Sequence, residues 1–240
     1  MHAFHWNALL TPEFLGLLLR GMALTCALAL LSSLFALAAG VFLAMGRCSQ
    51  SRALRLLSSG CCHAVRSVPG VFWLIFLFFG LPMLVPQEAG RALNGWDAFP
   101  FWAAVAGLSI GGFPYFADIF FSVAEEGRDS LAAARLSGLK TRDIWLSIVL
   151  PAAFLSGFPA LSLRLLHQLK NTSLAMVISV PELTWASQEI EALSFAGLEA
   201  TTAATALYLL LGCAVSLLLA RAEKKLQGSF AGGAGHASCL

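Results

Sequence analysis

Charge is scarce in this chain. Lys and Arg number 15 and Asp and Glu 13 in 240 residues, so only 12% of side chains are charged, about half the share of an ordinary soluble domain. A conventional water-facing surface is therefore excluded. The two signs nearly cancel, at +2, and the basic residues are scattered, which excludes a nucleic-acid-binding face. The six cysteines, Cys26, Cys48, Cys61, Cys62, Cys213 and Cys239, form no Cys-x-x-Cys pair and no Cys/His spacing that would hold a metal. They read as reduced packing residues. The five histidines show no ligand spacing either. A phosphate-binding loop is also missing, because Gly138-Leu139-Lys140-Thr141 lacks the adjacent Gly-Lys that such a loop needs. No metal, cofactor or catalytic site is expected.

What the chain has instead is long apolar runs, with 58% hydrophobic residues overall. Five stretches are candidates to cross a bilayer: Leu15 to Met45, Cys61 to Val85, Phe101 to Ala124, Ile144 to Met176 and Thr201 to Ala220. Each reaches the roughly 20 residues that span ~30 Å of hydrocarbon. The expectation is an all-α polytopic membrane protein with five transmembrane helices. Pro69, Pro114, Pro151 and Pro159 fall in or beside these runs, where neighbouring helices or water-lined cavities can satisfy freed backbone groups.

Orientation follows from Lys and Arg. Arg47, Arg52 and Arg55 follow the first run, Arg128, Arg135, Lys140 and Arg142 follow the third, and Arg221, Lys224 and Lys225 follow the fifth. These belong on the cytoplasmic side. The opposite connections hold Arg91 alone, then Glu182, Glu189, Glu191 and Glu199. The expected layout is a periplasmic segment over 1–14 without a cleaved leader, a transmembrane domain over 15–226, and a flexible cytoplasmic tail over 227–240. Trp6, Trp96, Trp102 and Trp185 are expected near the outer interface.

Between the third and fourth runs lies a polar break, Ala132-Ala133-Ala134-Arg135-Leu136-Ser137-Gly138, followed after nine residues by Ile148-Val149-Leu150-Pro151. Ala132 to Arg135 is good helix-forming sequence, and Gly138 lets the chain turn or another backbone come close. A partner could grip it. The spacing of Ala133, Ala134, Gly138, Ile148, Leu150 and Pro151 resembles the EAA loop of bacterial ABC-importer permeases, although the opening Glu is replaced by Ala132. Arg66-Ser67-Val68-Pro69 with Phe78-Phe79-Gly80-Leu81-Pro82 is similar to the Arg-Gly-Thr-Pro block of the five-span branch that carries polar amino acids and opines. Lys170-Asn171-Thr172-Ser173-Leu174 with Val180-Pro181-Glu182-Leu183 is similar to a further signature of that branch.

The resemblance covers roughly residues 16 to 226. It implies a type I importer permease fold whose cytoplasmic coupling helix, at about 131–142, sits in a groove on a separate ATPase. Ala132, Ala133, Ala134, Arg135, Gly138, Leu139, Lys140 and Arg142 are the expected coupling residues. It also implies a second permease subunit, identical or homologous, two cytosolic ATPase subunits that bind the ATP, a periplasmic binding protein and a bacterial inner-membrane location. The acidic connection from Glu182 to Glu199 is where that binding protein could dock.

Ionisable residues inside the runs are the other pointers, because each costs about 2.5–3.5 kcal/mol on insertion scales and usually faces the interior or a wet cavity. Arg66, Asp118, Arg164 and Lys170 qualify and are the expected substrate-pathway residues. Arg66 and Asp118 suit a structural pair. Arg164, ~20 Å along the fourth run from Pro151 if that run is straight, stands where the family often has an Asn-Glu pair. The competing reading is an ion-coupled carrier or channel with Asp118 and Arg164 as a relay. It is disfavoured because such carriers usually show two matching repeats, which five spans do not supply.

Overall fold

A computed structural model describes Trp6 and residues 11–237, with side chains placed through Gly228. Every regular element among the described residues is helical. Helix α1 (Pro12–Arg47) starts at a Thr11 cap whose hydroxyl accepts from the Phe14 amide, with Pro12 in the first turn, and ends on Arg47. At 36 residues it is about 54 Å long, well beyond the bilayer core. Helix α2 (Arg52–Arg66) and helix α3 (Gly70–Leu84) meet at a 98° bend. Helix α4 (Gln87–Asn94) leads into α5 (Phe99–Glu126), then α6 (Arg128–Leu136). Helices α7 (Thr141–Leu155) and α8 (Phe158–Ile178) meet at a 75° bend. Helix α9 (Leu183–Ser194) and helix α10 (Gly197–Ala237) complete the chain.

Three helices, α1, α5 and α10, are long and apolar enough to cross a membrane alone, and the total is five if each bent pair is one span. The second and fourth runs are therefore broken rather than straight. Pro69 stands directly before α3 and Pro159 in the first turn of α8, where a missing N–H does least harm. Each pair also carries a π turn, Phe76–Gly80 and Trp145–Val149, immediately ahead of a Leu-Pro step. The widened turn fits the carbonyl that the next proline leaves without a donor. Pro114, by contrast, sits inside the unbroken α5.

Helix α5 is the axis of the bundle. It packs along α1 through small residues: a Cβ on Gly40 would meet the Phe116 Cβ at 2.7 Å, and Ala36, Ala44 and Ala117 are buried beside it. In lipid, where apolar area gives helices no preference for each other, such close backbone packing holds them together. A polar pin joins three helices farther along the same seam. Gln168 on α8, 1% exposed, donates to the Ser32 hydroxyl on α1 at 3.1 Å and to the Leu108 carbonyl on α5 at 2.9 Å. Gly112 leaves the room, since a Cβ there would lie 2.8 Å from the Gln168 amide oxygen.

The apolar cluster of this seam and a separate one hold the two ends. Phe116, Phe120, Ile144, Trp145 and Val149 gather toward α6 and α7, whereas Leu18, Leu183, Ile190 and Ala204 join the start of α1 to α9 and α10. Most of α10 is uncovered, including Leu209, Leu210, Leu217 and Leu218. Its backbone stays helical to Ala237, beyond the 227 boundary expected for a flexible tail; extending an existing helix needs no new nucleus. The expected periplasmic segment over 1–14 falls largely, and the last three residues of the tail wholly, outside the described residues. Cys62 is the buried thiol of the apolar core, while Cys26, Cys61 and Cys213 lie on exposed faces. The packing role expected for the cysteines thus fits Cys62 and not these three.

Candidate functional site

Two arginines, Arg47 and Arg66, meet on Asp118. Its Oδ1 accepts from Arg47 Nη1 at 2.7 Å and its Oδ2 from Arg66. Arg66 also reaches the Pro114 carbonyl at 3.4 Å. The expected Arg66–Asp118 pair is therefore present, though not for the reason of equal depth along straight spans: Arg66 is the last residue of α2, at the bend, and leans onto α5. Arg47 completes the pair from the end of α1, over the Phe121 ring at 4.1 Å. A cation assigned by sequence to a water-facing connection is in fact half of a carboxylate clamp.

Arg164 does not join that clamp. Its guanidinium carbon lies 3.5 Å from the centre of the Tyr115 ring, and the same ring carries Arg66 at 5.2 Å. A guanidinium on a ring face gains from the quadrupole while leaving its in-plane N–H donors free. The Arg164 Nε is buried without an acceptor. Because the fourth run bends before Arg164, its position does not follow from a straight rise from Pro151. Asp118 and Arg164 form no ion pair, so the relay expected of an ion-coupled carrier has no direct link here.

Between the broken second span, α5 and α8 lies a cavity of about 220 Å³ whose walls include Arg66, Tyr115, Arg164 and Asn171, with Gly107 and Gly111 also in the lining. Lys170 is not part of it. It lines a separate, apolar cavity with Thr184, Thr205 and Tyr208, one helical position turning its side chain away from Asn171.

The block around Val180-Pro181-Glu182-Leu183 proves structural. Glu182 is fully buried and caps α9, accepting from the amides of Thr184 at 3.0 Å and Trp185 at 2.9 Å and from the Tyr208 hydroxyl at 2.6 Å. A carboxylate at a helix start satisfies amides that lack partners and meets the positive end of the dipole. Glu199 is also buried. The acidic docking connection expected from sequence is thus reduced to Glu189 and Glu191 as its accessible acids.

At the opposite end, α6 stands beside the basic loops. Arg135 donates to the Cys48 carbonyl at 3.4 Å, and a cleft of about 500 Å³ gathers Arg47, Arg55, Glu125, Arg128 and Arg135. Burial, and next the nearby Glu125, push the Cys48 thiol up to about 11, so it stays protonated and unreactive near neutrality. Helix α6 packs inward through Leu131 and Ala134, while Ala132, Ala133 and Leu136 face out, Leu136 at 90% exposure. Ala134 therefore anchors the helix and is no contact residue on its outer face. The helix begins at Arg128 and stops at Leu136, earlier than the expected 131–142.

Its end is a Schellman turn. The Gly138 amide donates to the Arg135 carbonyl at 3.0 Å and the Leu139 amide to the Ala134 carbonyl at 3.2 Å. Gly138 has φ +83, and a Cβ there would meet nothing within 4 Å. Of the two uses of this glycine that the sequence left open, changing the chain's direction is the one realised within this chain. Leu139, Lys140 and Arg142 follow on the exposed side.

A basic-end surface helix, a charged cavity between bent helices and a small-residue bundle together define a helical membrane permease. The sequence-family profile described as "Binding-protein-dependent transport system inner membrane component" matches residues 36–227, and the chain belongs to that family. It is 27% identical over 222 residues to the histidine/lysine/arginine/ornithine transport system permease protein HisM of Escherichia coli (strain K12), covering 92% of each chain. The glutamine transport system permease protein GlnP of the same strain is 32% identical over 169 residues, 69% of this chain and 72% of GlnP. The nopaline transport system permease protein NocM of Agrobacterium fabrum is 28% identical, covering 86% of each. In fold the chain is similar to a crystal structure of an amino acid ABC transporter with histidines, with TM-score 0.76 at 21% identity over 93% of this chain and all of that one.

Proposed function

We propose that this chain is the permease subunit of an ATP-driven importer for polar amino acids or related opine-type compounds, in the inner membrane of a bacterium. It works with a second permease subunit, two cytosolic ATPase subunits that bind and hydrolyse the ATP, and a periplasmic binding protein. The basic end, with α6, faces the cytoplasm, and α10 ends there. Relatives named for histidine, glutamine and nopaline transport support the substrate class.

The observation that carries this reading is α6 itself: a nine-residue helix held inward by Leu131 and Ala134 and offering Ala132, Ala133 and Leu136 outward, with Arg135, Lys140 and Arg142 around them. A rigid surface helix with an apolar centre and a charged rim has the make-up of a partner-binding patch. Movement of the ATPases would pass through α6 to α5 and α7, which flank it directly in the chain. The cavity beside Arg66, Tyr115 and Arg164 lies between the two bent spans and is the proposed substrate pathway, with Asp118 holding Arg66 in place. Lys170 contributes to a different wall.

Purification of the tagged chain from membranes in mild detergent tests the assembly. Co-elution of an ATPase and a permease subunit in equal numbers supports it. A chain that purifies alone, in high yield and well folded, contradicts it.

A further inference from the structure

We infer that this pathway selects anions, and that the substrate is an amino acid carrying a second carboxylate. The inference rests on the amino-acid importer reading and narrows it. The cavity is lined by two guanidiniums, Arg66 and Arg164, and a third, Arg47, stands behind them on Asp118. Against these three cations there is one carboxylate, Asp118, and both its oxygens are already taken, Oδ1 by Arg47 and Oδ2 by Arg66. No acidic residue lines the cavity. Guanidinium does not lose its proton in proteins, so the excess positive charge cannot be relieved by titration.

Arg164 is the group left with capacity. It is in no ion pair among the described residues, and its Nε is buried without an acceptor. Contact with the Tyr115 ring at 3.5 Å holds the guanidinium at the cavity wall, where a carboxylate can accept two parallel hydrogen bonds from it. Asn171 brings an amide to the same cavity, and its oxygen can accept from an ammonium group. One carboxylate at Arg164, a second toward the Arg66 side and an ammonium at Asn171 would match the lining. In a low-dielectric enclosure a cationic amino acid would be repelled more strongly than it would be in water. HisM, named for histidine, lysine, arginine and ornithine, is thus a guide to the amino-acid class of this chain's cargo and not to its charge.

Two measurements test this. The complete transporter, with its own binding protein, is reconstituted in ATP-loaded proteoliposomes, and uptake of L-glutamate, L-aspartate, L-glutamine and L-arginine is compared. L-glutamate and L-glutamine differ by little more than one charge, so preference for an acidic amino acid by roughly tenfold or more is expected, with Arg164→Gln narrowing it. Preferential uptake of L-arginine or L-glutamine overturns the inference.

The second measurement reads the cavity without a substrate. Val68 lines it and is 37% exposed. In the complex with native cysteines replaced, Val68→Cys is labelled with an anionic and a cationic methanethiosulfonate reagent, each rate divided by its rate on free cysteine. The anionic reagent is expected to be favoured roughly tenfold or more, and Arg164→Gln should reduce that bias. Equal rates, or a cationic preference, overturn the inference. If no amino acid is taken up, the amino-acid reading fails, and the labelling ratio alone decides whether the pathway selects anions.

Discussion

Tyr208, near the middle of the last span, donates its hydroxyl to the Glu182 carboxylate at 2.6 Å, and this bond, with a 3.3 Å contact to the Thr184 hydroxyl, is a polar tie between α10 and the start of α9. Glu182 is completely buried, with the two α9 amides as its other close donors. Tyr208→Phe leaves the carboxylate one donor short and should remove about 1.5–3 kcal/mol of stability. Glu182→Ala also orphans the amides and should lower complex yield further. Thermal unfolding midpoints in detergent check this order. Unchanged midpoints in both variants would mean that the bond does not hold the two helices.

Gly138 is required by conformation, with φ +83 and open space around its Cα. A side chain at such a backbone angle costs about 1–3 kcal/mol, least for Asn. Substrate-stimulated ATPase activity of the complex should therefore fall in the order Gly138, Gly138→Asn, Gly138→Val. If Asn proves as damaging as Val, a partner backbone packed on this glycine is the cause instead.

The two faces of α6 should separate cleanly. Leu136→Asp places charge on the outward side, where Leu136 is 90% exposed, and should abolish ATPase co-purification while the permease still inserts. Ala134→Asp buries a charge under the helix, where Ala134 is 9% exposed, and should reduce the amount of folded permease. Equal loss of folded permease in both variants would remove the distinction.

Asp118→Asn leaves Arg47 and Arg66 without their shared anion. Removing one partner of a buried ion pair costs about 3–5 kcal/mol; the Asp118 side chain is 37% exposed, so the expected loss is smaller, about 1–3 kcal/mol. Adding Arg66→Met to Asp118→Asn should restore part of it, and a double-mutant cycle on detergent stability measures the coupling. Additive losses would show that the contact contributes nothing.

Much of this architecture was legible in the sequence because hydropathy and loop charge are local properties. The five runs and the polar break were visible in composition. Kinks could be expected from the prolines, but not which proline makes one, because whether Pro69 or Pro114 breaks a helix depends on what packs around it: Pro69 stands at a 98° turn and Pro114 inside a continuous helix. Helix α9 was hidden for a related reason. Its acids suggested a solvated connection, yet Glu182 is a buried cap whose partner lies 26 residues away in Tyr208. The Arg66–Asp118 pair could be anticipated from two opposite charges in apolar runs. Arg47 could not, since only the α1–α5 packing brings it there. Tyr115 carried no signal of its own, and Asn171 only as part of the Lys170-Asn171-Thr172-Ser173-Leu174 block; the fold gives both meaning by placing them in the wall of one cavity with Arg164.

The central claim is that this permease is driven by ATP through α6. The most direct test is uptake by the reconstituted complex, with its binding protein outside, in proteoliposomes loaded either with ATP or with a non-hydrolysable analogue, each with and without an imposed proton or sodium gradient. The account predicts uptake only with hydrolysable ATP, independent of either gradient, and lost in Leu136→Asp. Uptake that follows an ion gradient in the absence of ATP hydrolysis would contradict it.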